Sequence, residues 1–207
     1  MADEIHNRLF SRMYARMKDA DEQVEHRRRM LAGLSGRVIE LGAGDGRNFA
    51  EYPPEVTEVV AVEPEPYLRE RATAVAARAP VPVKVVGGIA DRIPAEDASF
   101  DAGVASLVLC SVPDQGRALA ELRRVIRPGG ELRYYEHVVS TDPRRARIES
   151  LANHVWPRIA GGCNLNRETG AAIERAGFEM ESCDRFGFSP GFPVPKIAHI
   201  LGVARRP

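Results

Sequence analysis

The segment Val38-Ile39-Glu40-Leu41-Gly42-Ala43-Gly44-Asp45-Gly46 joins an apolar, β-branched run to a G-x-G-x-G turn. Glycines let a backbone adopt positive φ and approach a ligand closely, and the carboxyl end of a buried strand opens into the binding crevice of α/β proteins. A second β-branched run, Val59-Val60-Ala61-Val62, ends in Glu63, whose carboxylate can accept hydrogen bonds from both hydroxyls of a ribose. The two together predict a nucleoside ligand. The glycine spacing is not the dinucleotide fingerprint G-x-G-x-x-G, which disfavours a nicotinamide-dependent reductase.

These residues need strand ends to hold them, and from Gly36 onward short β-branched runs alternate with helical stretches, the pattern of parallel strands joined by crossover helices. Strands are expected near 37–41, 57–62, 82–86, 100–106, 131–138, 178–186 and 197–205, with helices near 46–51, 66–78, 114–126, 143–158 and 168–176. Only the turn-rich 187–195 stretch separates the last two strands, so they should pair as an antiparallel hairpin. Upstream, Ile5, Leu9, Phe10, Met13 and Met17 recur at helical spacing, and a second helix should carry Val24 to Leu31. The run Arg27-Arg28-Arg29 reads as a solvated helix face.

A chain of 207 residues fits one α/β domain with 35–207 as its core; the helices of residues 1–34 are expected to serve as a helical lid or, equally, in core packing or a dimer contact. Lys plus Arg and Asp plus Glu both number 29, leaving no positive surplus for a phosphate backbone, so nucleic acid is not an expected partner. No apolar run near the N-terminus approaches a membrane span or a signal core, and a cytoplasmic location is expected. Cys110, Cys163 and Cys183 lack CxxC spacing, which predicts neither a disulfide framework nor a zinc or other metal site. A monomer or homodimer acting on a small molecule is the expectation.

Glu40-Leu41-Gly42-Ala43-Gly44-Asp45-Gly46, then Glu63, then Arg127-Pro128-Gly129-Gly130 resemble the class I S-adenosylmethionine-dependent methyltransferases in order and spacing. The resemblance implies a Rossmann-like α/β fold: a seven-stranded, mostly parallel sheet whose last strand inserts antiparallel, here with added N-terminal helices. It implies S-adenosyl-L-methionine as cofactor and S-adenosyl-L-homocysteine as product. Gly42, Ala43, Gly44, Asp45, Gly46 and Asn48 would line the methionine and ribose, with Glu40 near the methionine amino end and Glu63, followed by Pro64, on the ribose hydroxyls. Ile89 stands where the family often has an acid for the adenine amino group. Ile89 would pack on the purine and the Ala90 amide would meet a ring nitrogen, or Asp91 would substitute. Ser106, Leu107 and Cys110 would complete the pocket wall.

Val108-Leu109-Cys110-Ser111-Val112, Tyr135-Glu136-His137-Val138, Trp156 and Gly162-Cys163-Asn164-Leu165 resemble a narrower group, the methyltransferase-like thiol S-methyltransferases and related bacterial dithiol S-methyltransferases. That resemblance implies methyl transfer to a small-molecule thiol or dithiol; the alternative is O-, N- or C-methylation of a natural product or quinone-like molecule, since a fold does not fix the acceptor. Animal members carry an N-terminal membrane-anchoring helix with no counterpart here. The thiolate is the attacking species in such a reaction, so a base of modest strength near the acceptor suffices. His137, at the expected mouth of the fifth strand, is the candidate base, with a hydrogen-bonded core histidine as the competing reading. Glu136 is expected to buttress it. Phe10, Tyr14, Trp156, Cys163, Asn164 and Arg167 are candidate substrate contacts, although Arg167 reads first as a residue that orders the loop after Trp156.

Overall fold

Successive residues of a strand face opposite sides of a sheet, and the first strand shows the consequence: Val38 belongs to one buried cluster and Ile39 to another on the far side. The computed structural model describes residues 8–189 and 196–207. Ile5 and positions 190–195 of the expected final turn lie outside them. The strands are β1 (Gly36–Leu41), β2 (Val56–Val62), β3 (Val83–Val86), β4 (Phe100–Ser106), β5 (Ile126–His137), β6 (Glu179–Phe188) and β7 (Ile197–Arg205). They form one sheet in the order β3-β2-β1-β4-β5-β7-β6. β1 to β5 pair in parallel, and β7 lies antiparallel between β5 and β6. The mostly parallel sheet and the terminal hairpin are both as the sequence predicts.

Strand order reverses between β1 and β4, so the chain leaves these neighbours in opposite directions and a crevice opens at their carboxyl ends. Leu41 at the end of β1 pairs with Val62 of β2 and Ala105 of β4, while Ser106 pairs with Tyr135 of β5. Glu63, Gly42, Leu107 and His137 are thereby brought to one edge of the sheet by register alone.

Helices α3 (Pro66–Ala76), α4 (Gln115–Val125) and α7 (Thr169–Arg175) are the crossover elements. Ala118, Leu119, Leu122 and Val125 of α4, at the spacing of one helix face, are all fully buried. Glu65 caps α3 by accepting from the Leu68 amide at 2.8 Å, and Asp114 caps α4 from Arg117 at 3.0 Å. On the other face of the sheet, α2 (Asp21–Leu31) buries Met30 and Leu31 beside Val38, Val104 and Tyr135. Ahead of it, α1 (Arg8–Tyr14) crosses the carboxyl edge of the sheet.

Two expected helices differ. The 46–51 helix is a single 3-10 turn, Phe49–Glu51, because Gly46 has φ of +88° and Pro53 and Pro54 follow within a turn. The expected 143–158 helix divides into α5 (Pro143–Ala152) and α6 (Trp156–Ile159). Pro157 is tolerated only near a helix start, so it forces a new start. Among the described residues no helix is long and apolar enough to cross a membrane.

Candidate active site

A cavity of about 1320 Å³ runs along the carboxyl edge from β2 to β7. At one end, Gly42 and Gly44 adopt φ of +64° and +58°. A Cβ on Gly42 would stand 2.3 Å from Cγ2 of Val108, so only glycine lets these loops meet. Glu63, 5% exposed, accepts from the Gly44 amide at 2.7 Å and the Glu65 amide at 2.9 Å. Each carboxylate oxygen keeps a second acceptor site, and the residue faces the cavity. Burial raises its pKa to about 7 against the pull of those amides.

Behind the glycine turn, buried Glu40 accepts from Asn48 Nδ2 and the Tyr52 hydroxyl, each at 2.8 Å. Burial raises its pKa to about 7 as well, with Tyr52 and Asn48 opposing. Asn48 in turn accepts from Arg27 Nη1 at 3.0 Å, and the same nitrogen donates to Ser106 Oγ at 3.0 Å. Arg27 is 4% exposed, paired with Asp19 at 3.1 Å, and lines the cavity. The reading of Arg27 as part of a solvated basic face is therefore corrected. α2 packs flat on the sheet, and its second turn points the Arg27 guanidinium inward while Arg28 and Arg29 stay at the surface.

Phe10 and Tyr14 of α1 close the cavity from above. Arg47, just past the glycine turn, fastens that cover: it pairs with Asp45 at 2.9 Å and with Asp19, donates to the Tyr14 and Met17 carbonyls at 2.7 and 2.9 Å, and lies 4.2 Å over the Tyr14 ring. At the far side, Phe10 rests on Gly161, where a Cβ would fall 2.4 Å from its ring.

The other end of the cavity is built on Glu136. This fully buried carboxylate accepts from the amides of Val108, Leu109 and Cys110 at 2.8 to 3.0 Å, folding the loop after β4 against β5. Leu107, at the start of that loop, holds φ of +56°, a conformation that is rare for a branched side chain and is fixed by its amide donating to Tyr135 O at 2.7 Å. The loop sets Cys110 Sγ 3.6 Å from His137 Nδ1, and the turn after α6 sets Cys163 Sγ 3.2 Å from the same nitrogen. The Cys110 thiol hydrogen-bonds to Cys163, and His137 adds a second partner, so the Cys163 pKa falls and that of Cys110 rises. Burial lowers the His137 pKa, but the sulfur of Cys163 and the Glu136 carboxylate outweigh it and the net shift is upward. His199 lies opposite His137 in register, ring centroids 4.5 Å apart. Its Nδ1 donates to Ile197 O at 2.9 Å, and burial lowers its pKa to about 3, so it is neutral.

The family described as methyltransferase domain matches residues 39–134. Thiol S-methyltransferase TMT1B of Mus musculus is 35% identical over 95% of this chain and 82% of its own length. Human thiol S-methyltransferase TMT1A is 34% identical over 76% of this chain and 70% of its own. The chain belongs to their family. It is an S-adenosylmethionine-dependent methyltransferase. A SAM-dependent methyltransferase of Thermotoga maritima shares the fold, with a TM-score of 0.66, 20% identity and coverage of 96% of this chain and 92% of that one.

In this methyltransferase Gly42, Gly44, Glu63, Pro64, Ile89, Ala90, Asp91, Ser106 and Leu107 all line the cavity, as do Phe10, Tyr14, His137, Trp156 and Cys163. Open acceptor sites on Glu63, a glycine turn without side chains and the apolar Ile89 suit a nucleoside with an amino-acid tail. Glu40, Ala43, Asp45, Gly46, Asn48 and Cys110 are not among the lining residues. Asn164 and Arg167 are not among the residues that line the cavity. Asn164 joins the Cys110 loop to its own, its amide donating to Cys110 O at 2.8 Å. Arg167 is spent on the Leu109 and Val112 carbonyls at 2.5 and 2.7 Å, so it orders the loop. The sequence reading assigned no role to Arg27 or Arg47, and it marked His199, with Ile200 and Gly202, only as part of the thiol S-methyltransferase resemblance.

Proposed function

We propose that this methyltransferase moves the methyl group of S-adenosylmethionine onto the sulfur of a small-molecule thiol. The observation that carries this reading is the Cys110–His137–Cys163 cluster at the end of the same cavity that Glu63 and the glycine turn enter. The names of the relatives that cover most of the chain point the same way.

Gly42 and Gly44 would admit the methionine portion, Glu63 the ribose hydroxyls, and Ile89 with the Ala90 amide the adenine. The bound cofactor supplies a sulfonium methyl that is already electrophilic, which leaves alignment and exclusion of water as the main work. Phe10 and Tyr14, fastened by Arg47, act as a cover and keep water from the acceptor. Trp156 and the apolar residues around Cys163 receive the hydrocarbon part of the thiol. His137 and Cys163 form the polar end that orients the sulfur and draws off its proton.

Purified protein, incubated with S-adenosylmethionine and a panel of alkyl thiols, aryl thiols and dithiols beside matched phenols and amines, tests the reading by mass-resolved product analysis. Thioether together with S-adenosylhomocysteine is the expected outcome. Turnover of phenols or amines alone would overturn the acceptor assignment.

A further inference from the structure

Cys110, His137 and Cys163 come from three separate segments, yet their two sulfurs and one ring nitrogen all lie within 4.8 Å of one another. In a tetrahedral site with metal–nitrogen and metal–sulfur bonds of about 2.0 and 2.3 Å, neighbouring nitrogen and sulfur ligands are about 3.5 Å apart. The Nδ1-to-sulfur distances of 3.2 and 3.6 Å match that edge to within a few tenths of an ångström. Both cysteines are free and buried, at 0% and 6% exposure. Two thiolates and an imidazole are the donor set of borderline-soft ions, and two thiolates neutralise a divalent charge inside an apolar shell.

The surroundings resemble an outer ligand shell. Glu136 fixes the Cys110 loop through three amides, Asn164 ties the Cys110 carbonyl to the loop that carries Cys163, and Arg167 clamps Leu109. Such supports hold first ligands in place in metal sites. His137 and Cys163 line the cavity while Cys110 lies behind them. The three donors thus occupy one side of the position they surround and leave its other side open to the cavity.

We propose that Cys110, His137 and Cys163 form a three-ligand site for a zinc-class divalent ion, whose fourth position faces the cavity and binds the acceptor thiol as thiolate. The second half rests on the thiol reading above. As the sulfur–metal bond forms, the S–H bond breaks and its proton leaves to solvent; nothing is oxidised or reduced. A coordinated thiol is deprotonated outright, so in the loaded protein the ion draws off the thiol proton and His137 serves that step as its ligand.

Metal-stripped full-length protein, reduced with a phosphine, is titrated with Co(II). One equivalent should give thiolate-to-cobalt charge-transfer absorption and the visible bands of a tetrahedral ion, bleached by zinc. Cys110→Ser and Cys163→Ser should lose the charge-transfer band, and Cys183→Ser should keep it. The unsubstituted protein supplies a test free of folding defects: zinc should slow alkylation of Cys110 and Cys163, located by peptide mass, and leave Cys183 unaffected. Absence of the band, or alkylation indifferent to zinc, overturns the site. If the band forms but does not change when 2-phenylethanethiol is added, or if thiols turn over equally in loaded and stripped protein, thiol coordination falls and the metal site stands. If only phenols or amines are methylated, the thiol reading fails while the cobalt and alkylation results still decide the site.

Discussion

Nδ1 of His137 stands 3.2 Å from Sγ of Cys163, although 26 residues separate the two in the chain. This contact joins the end of β5 to the turn after α6 and places two ionisable groups together beside an apolar cluster at one end of the cavity. His137→Ala should lower turnover by roughly a hundredfold. Cofactor affinity, set at the opposite end, should hold. Single-turnover rates and titration calorimetry with S-adenosylmethionine check the two halves separately. Full turnover in the variant would remove His137 from the acceptor step.

Glu63→Ala should give the reverse pattern. Two hydrogen bonds to a charged acceptor contribute about 1.5–3 kcal/mol each, so affinity for S-adenosylmethionine should fall by at least roughly a hundredfold. Glu63→Gln, which keeps one acceptor oxygen, should lie between. Calorimetry on each variant reads this directly, and unchanged affinity would place the ribose elsewhere.

The part of the unliganded protein's stability that Glu40 and Glu63 contribute should be lost as pH rises from about 4.5 to about 7. Glu40 and Glu63 have folded pKa values of about 7 against an ordinary 4.5, so within that window the folded state holds protons that the unfolded chain has released. The stability contributed by these protons is fully present below the unfolded value and lost as pH passes the folded one. Each group contributes on the order of 3 kcal/mol at most. Urea unfolding of the parent and of Glu40→Gln across pH 4.5 to 8 measures it. Relative to the variant the parent should lose stability across that window, and equal slopes would show that Glu40 titrates normally.

Arg47→Ala should loosen the cover and spare the core. The guanidinium holds two carbonyls and Asp19 across the gap between α1 and the glycine turn, contacts that the sheet does not need. Hydrogen exchange in residues 8–20 should quicken, with β1 and β4 unchanged. Protection undiminished in that segment would mean that Phe10 and Tyr14 hold the cover without Arg47.

Fold class, the sheet's closing hairpin, the glycine turn and the place of Glu63 directly after a strand were all legible in the sequence. Each of these is written locally, as β-branched runs ended by turn residues or as a carboxylate directly after a strand, and burial then follows from alternation. Where a local pattern competed with a local breaker the reading slipped. Gly46 with Pro53 and Pro54 cut one helix to a turn, and Pro157 split another. Charge runs misled for a related reason: Arg27 carries the same side chain as Arg28, and only the docking of α2 on the sheet makes one buried and the other exposed.

The meeting of Cys110, His137 and Cys163 is a product of tertiary structure. Cysteine spacing predicts metal sites that lie within one short segment, whereas Cys110, His137 and Cys163 meet only because strand order places β5 beside β4 and because Glu136 and Arg167 fold two loops together. Arg47's hold on α1 and the pairing of His137 with His199 depend likewise on register between distant segments. A hydrophobic period fixes which face of an element is buried, but the side chains that meet at the end of a sheet are set by the order of its strands.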